Sequence, residues 1–71
     1  MNIKLKNGKL KEISRDEYED IKSISRMMTC LKDGEDMMIQ YLGLVDNAAN
    51  RRIAFNVLMA VINDYKYFRI V

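Results

Sequence analysis

Apolar side chains along this chain follow two spacings, and each predicts a different element. Ile3, Leu5 and Leu10 alternate with Lys4, Lys6, Lys9 and Lys11 around Asn7-Gly8. Strict alternation marks a strand with one covered face, and Asn-Gly supplies the two left-handed residues of a tight hairpin. A two-residue loop pairs Leu5 with Leu10 and sets Lys4 opposite Lys11. Carried further, that register places Ile3 against Glu12 and leaves Ile13 on the wrong face. A bulge near Lys11 or Glu12, or an early strand end, is therefore expected.

From Ser14 the spacing becomes helical. Ser14-x-x-Glu17 is a capping box, and Asp16, Glu17, Glu19 and Asp20 crowd the first turns, where the helix dipole favours anions. Tyr18, Ile21, Ile24, Met28 and Leu31 form one apolar stripe, and Asp33-Gly34 supplies the expected break. A second helix is expected from near Glu35 to Leu42, ended by Gly43. A buried strand over residues 37–45 is the alternative, and the preceding acids and the methionines favour the helix. Asp46 or Asn47 then caps a third helix over roughly Ala48 to Asp64. The tail, residues 65–71, is aromatic and β-branched, so it could add a third strand or prolong the helix.

The expected fold is α+β and mostly α: an N-terminal hairpin, three helices and a C-terminal strand left open. No linker or repeat divides the chain, so residues 1–71 are expected to form one domain. Helix 3 sharpens this picture. Arg52, Asn56 and Asn63 make one narrow polar stripe, while Ile53, Ala54, Phe55, Val57, Leu58, Val61 and Ile62 wrap most of the remaining circumference. A helix apolar nearly all round belongs at the centre of a domain or against another chain. In so short a polypeptide this predicts a homo-oligomer or a partner surface, with Phe55, Leu58, Met59 and Ile62 as the contacts.

Composition narrows the function. The 71 residues include one Cys, no Pro, no Trp and no His. A lone cysteine makes no internal disulfide, and without histidine the usual zinc-finger spacings cannot be written. The longest apolar run, Val57 to Ile62, falls far short of the roughly 20 residues a bilayer needs. No apolar segment follows the first lysines as in a signal peptide, so a cytoplasmic protein is expected. Net charge is +2, from 12 basic and 10 acidic side chains. Residues 1–11 are purely basic, residues 12–36 are acidic on balance, and the remainder is mildly basic.

Catalysis finds little support. The commonest general base is missing, and no serine or cysteine has an evident base partner. Cys30, expected near the end of helix 1, lacks the setting that activates a thiol. The acids at residues 16–20 are read as helix-start residues rather than metal ligands. Asp33-Gly34-Glu35-Asp36 lacks the alternating ligands and distal glutamate of a calcium loop. No phosphate loop occurs among three scattered glycines. No enzyme activity, cofactor or metal is expected.

One segment carries a pattern. Leu42-Gly43-Leu44, followed nine residues later by Ile53, resembles the turn of helix-turn-helix DNA-binding proteins. That resemblance implies that Leu44, Ala49 and Ile53 face inward and that the second helix enters the major groove. It places Asn47, Asn50, Arg51 and Arg52 near base edges, with Lys9 and Lys11 touching phosphate. Ile39 and Val45 depart from the family pattern, which prefers a small residue and a capping hydroxyl there. An ordinary helical hairpin with a solvated Asn-Arg start is the plainer reading, and a lysine-rich ribbon that resists aggregation is the plainer reading of the hairpin.

These features point to a small non-enzymatic binding protein. The leading expectation is a dimeric helix-turn-helix regulator of double-stranded DNA, of the size and composition seen in short phage and mobile-element reading frames. The rival is an oligomeric inhibitor or adaptor that docks on a larger protein complex, such as a nuclease or defence system. A nucleotide-sequestering oligomer is the third.

Overall fold

A computed structural model of the protein describes residues 1–66. Two short strands, β1 (Asn2–Lys4) and β2 (Leu10–Glu12), precede three helices, α1 (Arg15–Met27), α2 (Leu31–Leu42) and α3 (Ala48–Lys66). This is the α+β, mostly helical architecture expected from the sequence.

The hairpin differs in register. Ile3 pairs with Lys11 and Lys4 with Leu10, one residue away from the expected pairing. Leu5 and Lys9 close the loop instead, through Leu5 N–H to Lys9 O at 2.8 Å and Gly8 N–H to Leu5 O at 2.9 Å. The loop thus holds Lys6, Asn7 and Gly8, with Gly8 at φ +85°. Three-residue loops of this kind end on a left-handed residue, which glycine adopts without steric cost. The turn absorbs the extra residue, so no bulge is required near Lys11 or Glu12. Ile13 now pairs with Met1 through two 2.8 Å bonds. It falls on the face of Ile3, and both are buried.

Helix α1 begins as expected, with Ser14 Oγ accepting from Glu17 N–H at 3.0 Å. It ends earlier than expected. Met28 leaves the helix with ψ 141°, and Cys30 is the N-cap of α2. Asp33 helps build this corner, its carboxylate accepting from Thr29 N–H at 3.0 Å. Gly34 is therefore inside α2 and does not break the chain. It is buried at a close crossing, where a Cβ would lie 2.9 Å from Leu58 Cδ2. Residues 37–42 are helix and not strand. Gly43, at φ +67°, terminates α2, with Leu44 N–H returning to Ile39 O at 3.1 Å. This is the glycine-capped helix ending in which the left-handed residue lets the last carbonyls find donors.

Helix α3 is the spine of the core. It packs on α2, α1 and β1, and its buried residues are Ala54, Val57, Leu58, Ala60, Val61 and Ile62. Ile3, Ile21 and Met38 close the core from the other three elements. The far end of α3 is tied down by polar contacts: the Tyr18 hydroxyl bonds to Asp64, and Tyr65 meets Ser25 and lies beneath the Lys22 ammonium. Tyr65 and Lys66 continue α3, whereas residues 67–71, where a third strand was an alternative, lie outside the described residues. No helix among the described residues is long and apolar enough to cross a membrane.

Candidate functional site

The start of α3 is where the helix-turn-helix resemblance placed its base-reading residues. Asn47 Oδ1 accepts from Asn50 N–H at 2.8 Å, so Asn47 caps the helix. The Asn50 side-chain amide donates to Val45 O at 2.8 Å, closing the turn between α2 and α3. Arg51 reaches across the corner to three carboxylates. Its Nε donates to Asp46 Oδ1 at 2.6 Å, Nη1 lies 3.5 Å from Glu35 Oε1, and Nη2 bonds to Asp36. The bond from Arg51 holds the Asp46 carboxyl below the usual carboxylate range, and the bonds to Asp46 and Asp36 raise the Arg51 pKa in turn.

Three of the four expected readers thus spend their side chains inside the molecule. Arg52 remains exposed. Ala49 and Ile53 are also exposed, the latter by 52%, where the resemblance required them to face inward. The covering of α3 changes along its length: Val57 and Ala60, one and two turns on from Ile53 along the same flank, are buried, whereas residues 49 and 53 lie at the end where that flank is exposed. Electrostatics gives no basic surface here. Glu35, Asp36 and Asp46 are balanced by Arg51, Arg52 and the nearby Lys32, so a phosphate would meet little net positive charge.

The expected interface residues divide. Leu58 and Ile62 are in the core, 0% and 6% exposed, and cannot contact a partner without unfolding. The inner girth of α3 is sheathed by α1, α2 and β1, which is why Leu58 and Ile62 are spent in the core. Phe55 and Met59 are half-buried and remain at the surface. They form, with Leu5 and Ala60, the apolar floor of a groove of about 500 Å³ between the hairpin and α3. Lys4 and Lys6 stand on the hairpin side of the groove, and Asn56 and Asn63 on the helix side.

Among the described residues no carboxylate lines this groove. Among the described residues the ion pairs all involve Arg51, and none holds Lys4 or Lys6. Lys9 and Lys11 are likewise exposed on β2 and its turn. The sequence named Phe55 and Met59 but missed Lys4, Lys6, Asn56 and Asn63 as companions. A signal for the two asparagines was present: they sit on the narrow polar stripe of an otherwise apolar helix. Cys30 is exposed at the α2 N-cap, a helix start rather than the expected helix end. Among the described residues no cluster of three acids or cysteines could hold a metal ion.

Comparison of the chain with protein-family models, curated proteins and solved structures finds no match.

Proposed function

We propose that this chain is a small non-enzymatic binding protein that docks on a larger protein as an adaptor or inhibitor, through the groove between the β-hairpin and α3. The observation that supports this best is the combination of an open apolar floor with a lysine edge, on a molecule whose core is otherwise closed. A half-buried Phe and Met beside charge are residues a partner can cover with gain, since apolar burial supplies affinity and rim charge supplies steering.

The duplex-reading alternative loses support from the Arg51 network, which removes the side chain best suited to a guanine edge. Self-association through α3 keeps two of its four expected contacts, Phe55 and Met59, since Leu58 and Ile62 are already covered.

Photocrosslinking tests the proposal. A benzophenone side chain at Asn56 of the full chain should trap a specific protein in the native cell extract, and the same group at Lys32 should not. The Lys4→Glu/Lys6→Glu variant should abolish the crosslink, and Arg52→Ala should leave it intact. Equal trapping from both positions, or a crosslink unaffected by charge reversal, contradicts the groove as the docking surface.

A further inference from the structure

The groove's own chemistry specifies what should fill it. Phe55, Met59 and Asn63 recur at i, i+4 and i+8 along α3, beside the row begun by Asn56 and Ala60 at i and i+4. Adjacent rows of this spacing form ridges with a groove between them, into which the ridge of another helix fits. From Phe55 to Asn63 the floor spans about 12 Å, two turns of helix. Hairpin residues Lys4 and Lys6 bound it on the other side. A ligand lying there meets an apolar floor edged by two lysines, with no carboxylate among the described lining residues.

Resting on the docking role just proposed, we infer that the occupant is an acidic amphipathic helix of the partner, its apolar stripe seated on Phe55 and Met59 and its carboxylates facing Lys4 and Lys6. Three observations separate this from other occupants. A second copy of the chain offers acids at residues 16–20 of α1, but the apolar stripe of that helix is already spent on Tyr18, Ile21 and Ile24 in the core. Met27 is the one exposed large apolar side chain of that helix, a single anchor where the floor takes two. A single-stranded nucleic acid would find the lysines, yet the floor has one aromatic ring, where stacking of successive bases needs several. A basic or neutral helix would leave Lys4 and Lys6 beside its own charges or desolvated without a partner. Helix-in-groove recognition, read as i, i+4 and i+7 anchors with flanking charge, matches the apolar floor and its lysine edge.

The experiment is a selection. A display library of random peptides about 16 residues long, enough for four helical turns, is panned on the intact chain and counter-selected on Lys4→Glu/Lys6→Glu. Enriched sequences should carry apolar residues at i, i+4 and i+7 flanked by Asp and Glu. Their affinity should fall about tenfold on the charge-reversed variant, the loss expected when two exposed pairs turn repulsive. It should also fall with added salt and on Met59→Gln, with circular dichroism showing that both variants stay folded.

Enrichment of neutral or basic sequences, or of none beyond the counter-selected background, overturns the inference. So does displacement of the selected peptides by an oligothymidine strand at equal concentration. The Asn56 crosslink keeps the two claims apart. If it persists and depends on charge while selection yields no acidic helices, the docking surface stands and the identity of its occupant falls. If the crosslink itself is insensitive to Lys4 and Lys6, both fall.

Discussion

Gly34 of α2 lies so close to Leu58 of α3 that a Cβ added there would stand 2.9 Å from Leu58 Cδ2 and 2.5 Å from Met28 Sδ. Hydrogen in place of a side chain lets the two helices approach where α1 turns into α2. Alanine at position 34 gains helix propensity and loses packing. The two effects leave a net destabilisation of about 1 kcal/mol, because overpacking costs ~1–3 kcal/mol and propensity returns ~1. Urea unfolding of Gly34→Ala measures it. The penalty should shrink when Met28→Ala opens the crowded side, whereas equal penalties in both backgrounds would show that the crossing is not tight.

Arg51 joins α2, the α2–α3 turn and α3 through Glu35, Asp36 and Asp46. Arg51→Ala should lower the urea midpoint, and Arg52→Ala should leave it unchanged. Because Arg51 holds the Asp46 carboxyl below its ordinary 3.8, folding favours the charged carboxylate. The contribution is complete above the unfolded pKa and is lost as pH falls through the depressed folded value. The gap between wild type and Arg51→Ala should therefore be full at neutral pH and close only in strong acid. A gap that stays constant down to the acid transition would exclude this network as its cause.

Tyr41 responds at the other end of the scale. Its hydroxyl donates to Asp20 at 2.9 Å and ties α2 to α1. Loss of solvent around the phenol, then the bond to Asp20 and the nearby carboxylates, push its pKa from 10.0 up to about 12. A pKa raised by folding means that the neutral phenol is the favoured form. Its contribution is whole below the unfolded value and disappears as pH rises from 10 towards 12. Tyr41→Phe should flatten that slope in alkaline unfolding curves while leaving the neutral-pH fold intact. An unchanged slope would place the alkaline loss elsewhere.

The parts of the fold set by neighbours in sequence were legible from it. The Ser14 cap with Glu17 fixed the start of α1, Gly43 fixed the end of α2, and the polar lead-in to Met37–Leu42 favoured helix over strand. What failed depended on distant partners. A glycine that ends a helix and one that admits another helix look alike until Leu58, 24 positions away, is in place. Arg51 looked like a free reader because two of its three carboxylates arrive from α2. The hairpin register turned on whether the loop held two residues or three, and burial of Ile3 with Ile13 on one face decided it. At the groove, Phe55 and Met59 could be named from helical spacing, but Lys4 and Lys6 join them only when β1 docks on α3.

Chemical-shift mapping tests the docking claim most directly. The isotope-labelled chain is titrated with a selected acidic peptide and, separately, with a random-sequence DNA duplex at physiological salt. The peptide should move the amide signals of Lys4, Leu5, Lys6 and of Phe55 through Asn63, leaving Asn47 to Ile53 still. Perturbations centred instead on Asn47 to Ile53, above all with the duplex, would return the function to the start of α3 and contradict the groove.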